Sequence, residues 1–350
     1  MELLEKKKKD SKLKIANSMP KDKKRVVYLN LKSGLTYERE LLKQWGVQEL
    51  ELVEMQDESG TRPLWELLEG AQGAVIGYDQ ITAEIIEHLS EMKILALQSI
   101  GYNNIDVEAA AKAGICVTNA PGFCAEEVAV HTVGMAIDLV RKITFLDRSV
   151  QRGEWEAIQG YPARRIQGMT FGMVFFGAIP QLMAPMLRAL GMKLLVYAPT
   201  KTAEFLENFG AQKAETLEEL LENADIVSMH TPLCEQTWHM MGEQQFQRMK
   251  RDAFFINTAR GAVVDEAALV RALKEGQICA AAVDVIEEGE GHAKSEIFGL
   301  ENAIVTPHAA FFSEESYRAA KRIALEQIVC LLCRQTLPEN LVNRALLERR

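Results

Sequence analysis

The 350-residue chain is poor in cysteine and aromatics and has no excess of positive charge. It holds six Cys, 7% Phe, Trp and Tyr, and 40 Lys and Arg against 49 Asp and Glu, a formal net charge of −9. Six scattered cysteines with no export signal ahead of them exclude a disulfide scaffold, so reduced thiols and a cytoplasmic location are expected. An acidic body is not built to grip nucleic acid. Long hydrophobic runs are also missing. The most apolar stretch, Gly172 to Leu187, is shorter than a membrane span and contains Pro180, Gln181 and Pro185, so it is not read as a transmembrane helix. No Cys/His set has the spacing of a metal site. Cys330 and Cys333 stand alone as a C-x-x-C pair among Ile328, Val329, Leu331 and Leu332, which reads as helix packing. A redox or metal pair is the alternative, without the second pair that would complete a zinc site.

Charge is spread unevenly. Residues 1–25 carry nine Lys and one Arg against four acids, so residues 1–24 read as a basic tail, a solvated extension with nuclear import or membrane-surface binding as alternatives. Beyond it, short apolar runs alternate with helical patterns, the signature of an α/β protein with parallel sheets. A first set comprises Val26–Leu29, Ala74–Ile76, Ile94–Leu97 and Ile115–Val117. After Asn119-Ala-Pro-Gly122, apolar residues recur at helical spacing from Ala125 to about Arg148 and predict one long helix. Six candidate strands follow, at Met173–Phe176, Leu194–Tyr197, Ile226–Met229, Phe254–Ile256, Ala280–Val283 and Ala303–Val305, enough for a dinucleotide-binding sheet. Ser313 to about Gln335 reads as a closing helix.

The first of those six strands runs into Phe175-Phe-Gly177-Ala178-Ile179-Pro180, and the next strand ends at Tyr197-Ala198-Pro199. That is the layout of a phosphate-binding turn with only the middle glycine kept. Phe175 holds the first glycine's place and Pro180 the third's, while Ala198 stands where an acid would bind a ribose hydroxyl. Proline is compatible with a helix's first turn. A β-carbon and ring at the turn are expected to weaken dinucleotide binding. Ala198 followed by Thr200 and Lys201 favours NADP, with NAD the alternative. Further on, polar residues stand just beyond predicted strands, where ligands collect in parallel sheets: Asn257-Thr258-Ala259-Arg260-Gly261, Asp284, and Thr306-Pro307-His308.

These segments, with Gly101-Tyr-Asn-Asn-Ile-Asp106, Asn119-Ala-Pro, His131-Thr-Val and His230-Thr231-Pro232-Leu233, resemble the D-isomer-specific 2-hydroxyacid dehydrogenase family from about Arg25 onward. The stretch Thr306-Pro-His-Ala-Ala-Phe-Phe-Ser-Glu-Glu is most similar to its C-terminal-binding-protein and D-lactate branches. The resemblance implies two Rossmann-like domains: a substrate domain from both chain ends, residues 25–119 and 312–350, and an inserted nucleotide domain, residues 120–311. It implies a cleft for a nicotinamide cofactor and a small 2-keto or 2-hydroxy acid, and a homodimer through the helix near 125–148. Arg260 corresponds to the substrate-binding arginine and His308 to the acid/base. The backbone amides of Ser99, Ile100 and Gly101 correspond to carboxylate donors. Gly177, Ala178, Ile179, Pro180, Ala198, Thr200, Lys201, His230, Thr231, Pro232, Thr258, Ala259, Asp284 and His308 correspond to the cofactor-binding set, Asp284 orienting the carboxamide. The glutamate that supports the histidine is replaced by Gly289; a shift of one residue would let Glu288 or Glu290 serve, with Glu287 also near. His88, His239 and His292 read as ordinary surface residues. An NAD(P)-dependent dehydrogenase is the leading expectation, and a weakly catalytic or non-catalytic dinucleotide-sensing interaction protein is the alternative.

Overall fold

The computed structural model describes residues 23–31, 34–57, 61–287 and 295–348. Residues 1–22 of the expected tail, and Glu288, Gly289, Glu290 and His292, lie outside them. The chain divides into two compact units, residues 1–123 with 318–350, and residues 124–317.

The first unit holds a five-stranded parallel sheet of β1 (Lys24–Leu29), β2 (Leu50–Met55), β3 (Gly73–Ile76), β4 (Ile94–Leu97) and β5 (Cys116–Thr118), in the order β2-β1-β3-β4-β5. Strands β3 and β4 are buried throughout, as parallel strands covered on both faces must be, and they read as unbroken apolar runs. The pattern of β2, Leu-Glu-Leu-Val-Glu-Met, interleaves acids because it is an edge strand with a wet face, which hid it from a search for apolar runs.

The second unit holds seven parallel strands: β6 (Thr170–Val174), β7 (Lys193–Tyr197), β8 (Ala211–Lys213), β9 (Ile226–Met229), β10 (Phe254–Asn257), β11 (Ala280–Val283) and β12 (Ala303–Val305). Their order is β12-β11-β10-β9-β6-β7-β8. The chain runs outward from β6 to β8, then returns to β9 and runs outward the other way. The reversal between β6 and β9 is the switch point at which open parallel sheets bind ligands. Strand β6 begins and ends earlier than expected, because Phe175 leaves the extended conformation. Strand β8 is a three-residue polar edge, Ala-Gln-Lys, without an apolar run to announce it.

The expected long helix is two helices, Ala125–Arg141 and Ile143–Gln151. Lys142 breaks it at φ 59° without glycine or proline. Its buried ammonium donates to the Gln159 carbonyl at 2.5 Å, and the Asp138 carboxylate accepts the Thr144 N–H at 2.8 Å, so side chains replace the interrupted helical bonds. Among the described residues no helix is long and apolar enough to cross a membrane. All six cysteines are unpaired.

Both ends of the chain build the first unit. Ala324, Leu325, Ile328, Val329 and Leu332, on the helix Glu314–Leu332, pack into the same core as Val26 and Tyr28 of β1. The segment after that helix lies antiparallel along the free edge of β5, with Thr118 opposite Leu341 and the Val342 N–H donating to Val117 O at 2.9 Å. Asn343 completes the edge. Its Oδ1 accepts the Val117 N–H at 3.0 Å and its Nδ2 donates to Ile115 O at 2.9 Å, with the residue 1% exposed. Asn343→Ala strands both backbone groups, and urea denaturation should show a loss of about 3 kcal/mol. A loss below about 1 kcal/mol would mean that water substitutes for the side chain.

Candidate active site

The turn after β6 crosses the switch point. Phe175, where a tight turn calls for glycine, has φ 72°, a left-handed conformation that costs an L-residue roughly 1–2 kcal/mol. Its N–H donates to Tyr197 O at 2.7 Å, and its ring packs against the core that includes Val174 and Leu195. The sequence suggested a ring that crowds a cofactor; the structure shows one partly buried against that core, on a backbone in the glycine-like conformation. Gly177 follows in extended conformation, and a β-carbon there would meet nothing within 4 Å. It precedes the helix Ala178–Ala189, whose first turn has no side-chain cap. Pro180 removes only a donor that the first turn of a helix leaves unused.

Beside this turn, the His230 N–H donates to Val174 O at 3.0 Å. Its Nε2 is buried with no hydrogen-bond partner among the described residues, as is the Ser228 hydroxyl. Burial pushes His230 down to about 3, so its ring is neutral at ordinary pH. Thr231 is buried and Pro232 follows it. At the end of β7, Ala198 is buried, Thr200 is exposed, and the Lys201 ammonium lies 4.8 Å from the centroid of the Phe205 ring. Uncapped helix amides, an open glycine and unpartnered buried polar atoms fit a dinucleotide, with phosphate at the helix N-terminus.

The chemistry-bearing residues lie along the same edge of the sheet, after β10, β11 and β12. Register places Asn257 opposite Val283 and Val283 opposite Val305, so the three loops start side by side. Asn257, 1% exposed, shapes the first loop: its Oδ1 accepts the Ala259 N–H at 3.0 Å and its Nδ2 donates to Arg260 O at 2.9 Å. Thr258 meets Thr132 hydroxyl to hydroxyl at 2.9 Å. Among the described residues the Arg260 guanidinium makes one hydrogen bond, from Nη1 to Ala259 O at 2.7 Å, and no carboxylate lies within 4.0 Å of it. Burial pulls its pKa below the ordinary arginine value, although a guanidinium remains charged. Cys124 lies close enough to interact with it but supplies no anion, because burial pushes that thiol up to about 12.

Asp284 is 2% exposed and organises the third loop. Its Oδ1 accepts the Thr306 hydroxyl at 2.5 Å and the Ala309 N–H at 2.8 Å, and its Oδ2 accepts the Ala310 N–H at 2.9 Å. Its carbonyl accepts the His308 N–H at 2.8 Å. His308 is thereby held at φ 50°, another left-handed non-glycine, with its ring perpendicular to that of Phe311 at 6.0 Å between centroids. His131 adds to this hub: its Nε2 lies 3.3 Å from Thr306 Oγ1 and 3.9 Å from Asp284 Oδ1.

In the first unit, Ser99, Ile100 and Gly101 follow β4 in a loop fixed through its carbonyls. Ser99 O accepts the Ala120 N–H, Ile100 O accepts Asn119 Nδ2, and Gly101 O accepts the Ser99 hydroxyl. The N–H groups of these three residues donate to no group among the described residues.

The structure thus gathers Gly177, Ala178, Ile179, Pro180, Ala198, Thr200, Lys201, His230, Thr231, Pro232, Thr258, Ala259, Arg260, Asp284 and His308 at one edge of one sheet. Sequence reading passed over Asn257 and the role of His131, although both sit inside the matching segments. His239, expected to be an ordinary surface residue, is instead half-buried, with its Nε2 paired to the Glu287 carboxylate. Glu287 is therefore committed elsewhere, whereas Glu288 and Glu290 lie outside the described residues.

The family profile for the D-isomer specific 2-hydroxyacid dehydrogenase, NAD binding domain, matches residues 133–310. The glyoxylate reductase of Thermococcus litoralis is 36% identical over 278 residues, 77% of this chain and 82% of its own length. The D-lactate dehydrogenase of Aquifex aeolicus, solved with NAD and lactic acid, superimposes with a TM-score of 0.79 at 27% identity, over 91% of this chain and 99% of its own. An acyclic imino acid reductase solved with NADPH and D-Arg gives a TM-score of 0.78 at 26% identity over the same shares. The chain belongs to the D-isomer specific 2-hydroxyacid dehydrogenase family. It is an oxidoreductase of the CH–OH group of 2-hydroxy acids that uses a nicotinamide dinucleotide.

If Phe175 bears conformational strain, replacing it with glycine and with alanine should invert the usual order. Both variants lose the ring's packing, but Phe175→Gly should melt higher than Phe175→Ala, by about 1 kcal/mol, because only glycine is at ease at φ 72°. Equal melting, or a more stable alanine variant, would show that the turn carries no such strain.

Proposed function

We propose that the chain reduces a small 2-keto acid to the D-2-hydroxy acid, with Arg260 binding substrate and His308 as the acid/base. The observation that carries this reading is the Arg260 guanidinium: partly buried, with one hydrogen bond and no counterion among the described residues. Withdrawing a cation even partly from water without a described counter-charge carries a desolvation cost. A 2-keto acid offers a carboxylate and an adjacent carbonyl oxygen that the planar donor fork engages together. His308 lies on the neighbouring loop, and an imidazole is suited to giving the carbonyl oxygen its proton and to taking it back in the reverse direction. The cofactor supplies the hydride when bound. The free amides of Ser99, Ile100 and Gly101 are proposed as further donors to the substrate carboxylate. Asp284, with its carboxylate already engaged by the loop that bears His308, is proposed to act chiefly by holding that loop.

NADP is proposed as the preferred cofactor. Ala198 places no carboxylate at the end of β7, and Thr200 and Lys201 follow it with two groups suited to a phosphate. A homodimer is proposed through the helices Ala125–Arg141 and Ile143–Gln151 and the loop after them. There Val130, Ile143, Val150, Trp155 and Ile158 leave apolar side chains in water, Trp155 and Ile158 being 89% and 91% exposed.

Glyoxylate and pyruvate reduction, followed by loss of NADH or NADPH absorbance, tests the core of this reading. Arg260→Gln should lower kcat/KM by about 10²-fold or more, and His308→Gln by about 10²–10⁴-fold, chiefly in kcat. Full activity in either variant removes that residue from the reaction. Tight dinucleotide binding by an unmodified protein that turns over neither acid would instead favour the sensor. For the cofactor, calorimetry should show NADPH binding at least as tightly as NADH, and Lys201→Ala should weaken NADPH alone by about fivefold; an NADH preference contradicts the assignment. For the assembly, sedimentation should give a dimer that Trp155→Glu with Ile158→Glu converts to monomer, whereas a monomeric unmodified protein overturns it.

A further inference from the structure

His239 and Glu287 are 48 residues apart in sequence and belong to no part of the chemistry described above. Each, however, lies on a segment that flanks the Arg260 turn. On one side, the segment 239–241 runs beside the residues after Arg260: the His239 N–H donates to Ala262 O at 2.9 Å, the Met241 N–H to Val263 O at 3.0 Å, and the Asp265 N–H back to Met241 O at 2.9 Å. On the other side, the Ile286–Glu287 backbone presses on Gly261, where a β-carbon would stand 1.8 Å from Ile286 O. Only glycine permits that approach. Glu287 is itself locked to Glu266: its N–H donates to Glu266 Oε2 at 3.0 Å, and the Glu266 N–H donates to Glu287 Oε2 at 3.3 Å.

The His239 side chain bridges the two flanks by pairing with Glu287 Oε1. Its backbone takes φ 49°, a conformation that persists in a non-glycine residue only where its surroundings impose it, and the Trp238 ring stacks on the imidazole at 3.6 Å between centroids. We infer that the His239–Glu287 pair is a clasp that closes a frame around the Arg260–Val263 turn and so sets where the guanidinium stands. His239 and Glu287 are positioning residues. The inference rests on Arg260 being the substrate-binding group. It adds that affinity for the keto acid depends on a bond made on the far side of that turn.

The consequence is a split between binding and chemistry. Opening the clasp blurs the guanidinium's position and weakens the hold on the carboxylate, while His308, on a different loop held by Asp284, keeps its place. His239→Phe keeps a ring to stack on Trp238 but cannot bond Glu287, and Glu287→Gln keeps shape and acceptor while removing the charge. Losing a charged hydrogen bond at a partly exposed site should raise KM for glyoxylate about tenfold in each variant, with kcat changed less than about threefold. The double variant should be no worse than either single one. His239→Asn, which tolerates the left-handed backbone and still donates to Glu287, should restore most of the affinity.

Hydrogen–deuterium exchange of the amides at 258–264 in the intact protein reads the clasp without any turnover. Exchange there should quicken about tenfold in His239→Phe and Glu287→Gln, with the sheet of the first unit unaffected. Unchanged exchange at 258–264 overturns the clasp. Faster exchange with an unchanged KM overturns its role in positioning Arg260, as does a fall confined to kcat. Faster exchange in a protein whose unmodified form reduces no keto acid upholds the clasp and overturns the reading of Arg260.

Discussion

The buried carboxylate of Asp284 holds the loop that follows β12. It sits one residue past the end of β11, and its N–H is donated to Asn257 O at 2.9 Å, which ties it to the neighbouring strand. From there its two oxygens gather a hydroxyl and two amides of the next loop. A carboxylate this deep would carry a heavy desolvation cost unless its lone pairs were occupied, and here three are. The bonds therefore run in both directions. The loop keeps the charge buried, and the charge keeps His308 in a backbone conformation that it would otherwise leave.

That arrangement repeats in weaker form around the site. Asn257 shapes the Arg260 loop with a neutral amide in the way that Asp284 shapes the His308 loop with a charge. Three non-glycine residues with positive φ, Phe175, His239 and His308, stand in the loops at this edge of the sheet or against them. Such conformations persist where surrounding bonds over-determine them, and they cluster where a side chain must be aimed rather than merely packed. Arg260 is the complement. Its backbone is extended at φ −143°, but its charge has no described counterion, so what the frame holds fixed is an unsatisfied electrostatic demand.

The alternation of strands and helices was legible because parallel strands covered on both faces must be apolar throughout, as in β4, β9 and β10. Arg260 was legible because it stands just past such a run, β10, and His308 because it follows the apolar Ala303–Val305 strand, where the sheet's polar edge begins. Strands β2 and β8 were not, since these two edge strands carry acids or an amide and a lysine in place of an apolar run. The break at Lys142 was hidden because no glycine or proline marks it and the compensating carbonyl, on Gln159, lies 17 residues away. Likewise, nothing local marks Asp284 as a hub or His239 as the partner of Glu287. Their bonds span 22 to 48 residues, and a side chain's partners become visible only when the fold brings distant loops to one edge.

The central proposal is that Arg260, without a counterion among the described residues, takes the anion of a 2-keto acid. A crystal structure of the protein grown with NADH and oxamate, an unreactive mimic of such an acid, tests it most directly. The account predicts the oxamate carboxylate on the Arg260 guanidinium through two N–H donors, with the adjacent carbonyl oxygen within hydrogen-bond reach of the His308 ring. Finding Arg260 ion-paired to an acid of its own chain, with oxamate bound elsewhere or not at all, would contradict it.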